Sequence, residues 1–288
     1  ATVVIPASVR EIRTAAFENM TALTSVTFEE GSQLSAIGDW AFAGDTRLTT
    51  FSIPAGVTQI DSYAFGGCTS LYTVTCSAST PPSTNGATNL FFSTGVRSVL
   101  VPEQAADLYR TAAYWSDLAL VPIPDGSRIR LSAADAASPY TATNDGSGLA
   151  ALFDGDPATY WHTWWSQSTT GDPTYGRYID IVLPQSVTEI ALLYQVRATN
   201  ANVAPNAFVI GVGSDGTNWT PLGAPVDATD TGAVIPSAAA AWGRIPWLTH
   251  TEGFDRLRIG ITTAGGNALT QGPDTNSTAL AELTIFTR

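Results

Sequence analysis

Ile53-Pro54-Ala55-Gly56-Val57-Thr58-Gln59-Ile60, followed by Asp61-Ser62-Tyr63-Ala64-Phe65-Gly66-Gly67-Cys68-Thr69-Ser70-Leu71, decides the fold of the first part of this 288-residue chain, because it recurs. The apolar pair that leads into it, Phe51 and Ile53, is matched at Val3 and Ile5, Val26 and Phe28, Val74 and Cys76, and Val99 and Val101. Successive units are therefore 23, 25, 23 and 25 positions apart. The same phase returns at Ile12, Ile37 and Ile60, at Phe17, Phe42 and Phe65, and at Leu23, Leu48 and Leu71. The longer steps have an address: Ile5 to Ile12 and Ile53 to Ile60 are 7 apart but Phe28 to Ile37 is 9, so the extra residues fall in the polar run Glu29-Glu30-Gly31-Ser32-Gln33. The alternation within each unit predicts one short strand. A unit this short cannot bury an apolar face alone, so neighbours must stack into a solenoid. Cys76 takes a core strand position in this reading, and Cys68 the role of a small apolar residue between Phe65 and Leu71.

Working outward, Ser77-Ala78-Ser79-Thr80-Pro81-Pro82 breaks the fourth unit, and the stretch leading to Tyr109 and Trp115 is read as a C-terminal cap, which gives a domain of residues 1–121. Pro122-Ile123-Pro124-Asp125-Gly126-Ser127 is read as the linker. From residue 128 to 288 the text changes to short alternating strands, at Tyr178–Leu183, Glu189–Tyr194, Ala207–Val212, Arg256–Ile261 and Ala281–Phe286, with turn-rich loops between. With no helix-period segment among them, they predict an antiparallel β-sandwich, and the chain as a whole is mainly β.

The Ile-Pro-Ala-x-Val-x-x-Ile units with their Ala-Phe and Gly-Gly-Cys-Thr-Ser-Leu continuations resemble the BspA-like leucine-rich repeats of bacterial surface proteins, over about residues 1 to 121. The second part also resembles a known family. Its run from Asp154 to Trp165, then Ser214–Thr220, then Ala281-Glu282-Leu283, stand in the order seen in discoidin-like modules. These are the coagulation factor 5/8 type C domains, which include the family-32 carbohydrate-binding modules. That resemblance implies a jelly-roll, galactose-binding-domain-like sandwich.

Composition limits what such a chain does. Its 13 basic residues, all arginine, face 25 acids for a net charge of −12. The first 124 residues carry 5 Arg against 10 acids and the rest 8 against 15, so the deficit is spread over both halves. Sequence-independent binding to phosphate backbones or anionic membranes has no electrostatic support. Two cysteines cannot be a disulfide framework, and no apolar run approaches a membrane span. Because Ala1 opens on strand-like residues, an export signal and anchor are expected outside this chain, and the protein is expected to be extracellular or cell-surface.

For chemistry, Ala151-Leu152-Phe153-Asp154-Gly155-Asp156-Pro157-Ala158-Thr159 packs two carboxylates and a hydroxyl into one turn. Read alone it is either a common Asp-Gly turn or a place for a hard cation with oxygen ligands. The discoidin resemblance implies the second, a structural Ca²⁺ held at Ala151, Asp154, Asp156, Thr159, Ala281 and Glu282. It also implies a sugar site on His162, Trp165, Arg197 and Asp145, where an aromatic face covers the C–H side of a pyranose and the polar groups hydrogen-bond its hydroxyls. Read without it, His162 is a loop histidine, Arg197 an ion-pair partner, and one of Trp161, Trp164 and Trp165 a core residue. Trp242 and Trp247 flank Gly243-Arg244-Ile245-Pro246 in a loop-like stretch that could reach the same end.

Enzyme signatures fail on inspection. Gly211-Val212-Gly213-Ser214-Asp215-Gly216 spells a dinucleotide motif, but Thr-Asn-Trp-Thr-Pro follows it where a helix is required, so it reads as a hairpin turn. The only histidines are His162 and His250, and no acid, base and nucleophile assemble. The expectation is a non-enzymatic bacterial adhesion protein that binds a glycan, of galactose type, through its sandwich, with the repeats as spacer or protein-binding surface. Two alternatives stay open: a protein-binding adhesin with no sugar site, and an ancillary fragment of a larger secreted glycosidase.

Overall fold

The computed structural model describes residues 1–140, 148–154, 160–162, 172–196, 205–230, 233–236, 241–264, 267–268 and 279–288. The chain divides into two units, Ala1–Ile123 and Pro124–Arg288. In the first, the strands run β1 (Thr2–Ile5), β2 (Glu11–Ile12), β3 (Ser25–Phe28), β4 (Ala36–Ile37), β5 (Thr50–Ile53), β6 (Gln59–Ile60), β7 (Thr73–Cys76), β8 (Ser98–Pro102) and β9 (Leu120–Ile123). Pairing is parallel and one repeat apart: Val3 lies beside Val26, Phe51 beside Val74, Val74 beside Val99. Ile12, Ile37 and Ile60 line up in a second row through β2, β4 and β6. A third row links the turns, where the Phe17 N–H donates to the Ala41 carbonyl and the Phe42 N–H to the Ala64 carbonyl, both at 2.8 Å.

The recurring phenylalanines form the solenoid's spine. Phe17 stacks on Phe42 at 5.2 Å and Phe42 on Phe65 at 5.6 Å, and Phe91 adds a fourth rung 5.5 Å from Phe65. Leu23, Leu48 and Leu71 are fully buried below them. Beyond the last repeat, the Trp115 Nε1–H donates to the Pro82 carbonyl at 2.8 Å, and the Tyr109 hydroxyl to the Ala78 carbonyl at 2.9 Å, so both aromatics fasten onto the irregular Ser77–Pro82 stretch. Both cysteines are buried free thiols.

One joint differs from the others. β1 pairs only with β3, and β5 begins a separate sheet of β5, β7, β8 and β9, so the strand row is interrupted between β3 and β5. Two bulky side chains meet there, Phe28 edge-on to Phe51 at 5.9 Å, where other repeats place Val, Ile or Cys. The β4–β6 row and the turn row continue across the same joint.

Pro122 and Ile123 belong to β9, and Ser127 already starts the next strand, so the stretch outside strands is 124–126 and shorter than the 122–127 linker read from the sequence. Pro122 is tolerated because β9 is an edge strand, whose outward position needs no N–H.

The second unit contains β10 (Ser127–Ile129), β11 (Ala136–Ala137), β12 (Trp161–His162), β13 (Arg177–Val196), β14 (Pro205–Gly213), β15 (Thr220–Pro221), β16 (Val226–Asp227), β17 (Trp242–Ala264), β18 (Asn267–Ala268) and β19 (Ala279–Thr287). The separate strands read at 178–183 and 189–194 are one strand. β13 runs through both and turns a corner at register shifts between Val182, Val187 and Glu189. Pro184 sits inside that shift, where no ladder N–H is lost. The first half of β13 pairs with Arg256–Ile261 of β17 and continues to β14; the second half pairs with Trp242–Phe254 and with β19. Two strands that switch layers at bulges produce the two antiparallel layers of a sandwich. Between them lie Ile179, Ile181, Leu192, Tyr194, Ile210, Ile259, Leu283 and Ile285. On the first layer, Arg258 holds Asp180 through two bonds of 2.6 and 2.8 Å, its guanidinium 3.6 Å from the Tyr178 ring and 4.4 Å from that of Trp219. Gly213 ends β14, and the Val212–Thr220 pairing makes the glycine-rich stretch a hairpin.

Candidate functional site

Alternation in β19 sorts its side chains: Leu283 and Ile285 enter the core, so Glu282 and Thr284 point to the opposite face. Their cross-strand neighbours share that face. Gln195 pairs with Trp242 on one side and Glu282 on the other, and Leu193 pairs with Arg244 and Thr284. The outcome is a polar patch on the outside of the second layer that is nonetheless buried: Gln195 is 2% exposed, Arg244 5% and Glu282 7%. Beside it, the 3-10 turn at Gly148–Leu152 packs against β12 and β19 with Leu152 in the core, and Val234 pairs with β17 through its N–H and carbonyl, both bonded to Arg244.

The candidate metal residues fall around this patch. Ala151 is buried in the 3-10 turn, Asp154 is exposed two residues after it, and Ala281 and Glu282 are buried on β19. Asp156 and Thr159 lie outside the described residues. Among the described residues no three His, Cys, Asp or Glu side chains gather closely enough to hold a metal on their own. The donors that are placed nevertheless fit a hard cation. They are a buried carboxylate at Glu282, an exposed one at Asp154, and backbone carbonyls on two elements that pack together, the mixture Ca²⁺ takes. A bound cation would supply positive charge to these acids and tie the turn to β19.

Of the candidate sugar residues, His162 is described by its backbone alone, and Trp165, Arg197 and Asp145 lie outside the described residues. The topology places what can be placed. Trp161 pairs with Leu280, and Leu280 with Val196, so three neighbouring strands reach the same level. His162 is the last described residue of the first, and β19 lies between β12 and β13, which puts Trp161 and Val196 about 10 Å apart at ordinary strand spacing. Trp161, the one tryptophan of that cluster among the described residues, is fully buried.

Trp242 and Trp247 are in strand β17, not in a loop. Pro246 lies where the β13–β17 register shifts between Ile190 and Leu192, which is how a proline enters this strand. Trp247 is covered by the Arg288 guanidinium at 4.1 Å, whereas half-buried Trp242 lies beside Gln195 at the same end as Val196 and Leu280. Gln195 and Arg244 are members of the patch that the sequence did not single out. Their only signal is a polar residue on each side of an apolar-in alternation, Leu192-Leu193-Tyr194-Gln195-Val196 and Trp242-Gly243-Arg244-Ile245.

Comparison with known proteins follows the same division. Residues 1–119 match the BspA type leucine rich repeat region, in six copies, and residues 133–241 match the F5/8 type C domain. A sialidase of Micromonospora viridifaciens is 32% identical over 128 residues, 43% of this chain. The chain spans 19% of that protein's length. Similar solved structures include a CBM32 module from Clostridium perfringens in complex with GalNAc-β-1,3-galactose, at 18% identity and TM-score 0.40, covering 56% of this chain and 99% of that one. Another is the family 32 CBM of C. perfringens NanJ in complex with galactose, at 14% identity and TM-score 0.38, covering 56% and 99%. A third is an F5/8 type C domain from Bacteroides fragilis, at 18% identity and TM-score 0.38, covering 57% and 99%.

Proposed function

We propose that this chain, a BspA-type leucine-rich repeat region joined to an F5/8 type C domain, is a non-catalytic, extracellular carbohydrate-binding protein that takes a galactose-type sugar at the His162 end of its sandwich. The observation that supports the reading is the shared level of Trp161, Leu280 and Val196, which brings His162 on β12 to the same end of the sandwich as the last residue of β13. Trp165 is the stacking face in this scheme, His162 and Arg197 donate to ring hydroxyls, and Asp145 accepts from them. A structural Ca²⁺ at Ala151, Asp154, Asp156, Thr159, Ala281 and Glu282 anchors the turn that leads to His162. No helix among the described residues is long and apolar enough to cross a membrane.

Calorimetric titration with galactose and N-acetylgalactosamine in the presence of calcium tests this. Wild type should bind at least one of them saturably, and Trp165→Ala and Arg197→Ala should each weaken binding at least tenfold with unchanged melting. Absence of binding by wild type to both sugars would sink the reading. The match to part of a sialidase favours a second context, in which the sandwich is an ancillary module of a larger secreted glycosidase. Flanking coding sequence with a catalytic domain decides between that context and a free-standing adhesin.

A further inference from the structure

The turn after each short strand presents a row of side chains on the outside of the solenoid. Trp40 and Tyr63 hold equivalent places in it, both in left-handed backbone with φ of 58° and 54°. A bulky residue in that region is strained by about 1–2 kcal/mol, which a glycine would not incur. The core gains nothing from Trp40, which is 42% exposed. The two rings stack at 4.4 Å, and Phe92, 61% exposed, stands at 77° to Tyr63 and 5.7 Å away, so two ring planes form a corner. In front of them Gly44, Gly66 and Gly67 leave a floor without side chains. Glu18 and Asn19 close one end of a groove of about 480 Å³.

We infer that this groove is a second binding site, for a neutral linear oligosaccharide. The main-chain N–H groups along its floor are already used within the solenoid, so an extended peptide would find few donors there. The Asn19 N–H already donates to the Ala43 carbonyl at 2.7 Å, and those of Gly44 and Gly67 to the Gly66 and Phe92 carbonyls at 2.8 Å. What the groove does offer is aromatic surface for the C–H faces of sugar rings, with an amide and a carboxylate at one end for hydroxyls. Glu18 is the one carboxylate in its lining and no basic side chain joins it, in a half of the chain with 5 Arg and 10 acids, which disfavours an anionic glycan. The lining spans four repeats, about 14 Å at ordinary strand spacing, longer than one sugar ring and suited to a short chain of them.

The test uses the full chain carrying Trp165→Ala, so that sugar bound at the sandwich does not contribute, and titrates it with four neutral tetrasaccharides: β-1,4-glucan, β-1,4-mannan, β-1,4-galactan and α-1,4-glucan. At least one should bind saturably, and its affinity should fall at least tenfold in Phe92→Ala and Trp40→Ala. Phe92→Leu, which keeps apolar bulk without the ring, should lose as much as Phe92→Ala, and the exposure of Phe92 means melting should not change. The inference is overturned if none of the four binds, if binding is equal in Phe92→Ala, or if basic or proline-rich peptides, and not the sugars, bind in a Phe92-dependent way.

Discussion

Asp45 offers the sharpest test of the solenoid's interior. It stands in the turn row where the next repeat has Cys68, it is fully buried, and its Oδ1 accepts the Met20 N–H at 2.7 Å while Oδ2 has no hydrogen-bond partner. Burial pushes its carboxyl from the usual 3.8 up to about 7, opposed only by the Met20 bond. A raised carboxyl means the folded state holds a proton that the unfolded chain has released. The contribution of Asp45 to stability is therefore greatest below about pH 4, declines between pH 4 and 7, and is flat once Asp45 is ionised in both states. The full decline is about 4 kcal/mol, or roughly 10–15 °C for a solenoid of this size. Asp45→Asn keeps the acceptor for Met20 but puts an N–H₂ donor where Oδ2 finds no partner, a penalty of about 1–3 kcal/mol independent of pH. The two melting curves should therefore cross. The variant is weaker at pH 4 and stronger at pH 8, measured by scanning calorimetry of the full chain on the transition that Phe65→Ala displaces. A wild-type transition with no slope between pH 4.5 and 7, or a variant that keeps the wild-type slope, refutes the reasoning.

Phe65→Ala, in the middle of the ring stack and fully buried, should cost about 3–5 kcal/mol, read from the urea midpoint of the solenoid. Chelation of calcium held at a hundred times its dissociation constant removes about 2.7 kcal/mol and should lower the sandwich transition by about 5–10 °C while leaving the solenoid's in place. Asp154→Ala and Glu282→Ala should remove that response to chelator; an unchanged wild-type melting curve after full chelation disproves the metal. Asp180→Ala strips the partner from Arg258, whose side chain is 11% exposed, and should destabilise the sandwich by about 2–3 kcal/mol without changing sugar affinity.

The repeat was legible because its chemistry is periodic: Phe17, Phe42 and Phe65 announce a stack by spacing alone. Phe91 did not, since the prolines at 81 and 82 shift the phase before it, and only packing restores it to the row. In the sandwich, the Pro184 and Pro246 stretches read as breaks because proline usually ends a strand, yet each sits at a register shift where a bent strand has no N–H to lose. Asp45 was invisible as a buried group, because Gly-Asp-Thr reads as a solvated turn and burial depends on the neighbouring repeats. The candidate sugar residues were legible only through the family resemblance. Register adds that His162 and Val196 share an end, a relation between strands about 35 residues apart in sequence.

The interrupted strand row between β3 and β5 has a mechanical consequence. The joint between the first two repeats is closed by backbone bonds on the strand row, the short-strand row and the turn row; the next one, between β3 and β5, relies on the latter two. A rod with one seam open on a single side bends more easily toward the closed sides than away from its own axis elsewhere. Tension applied along the chain would concentrate at Phe28 and Phe51, so the first two repeats would peel away as a unit before the remainder yields, giving the solenoid a built-in, directional compliance near its N-terminal end.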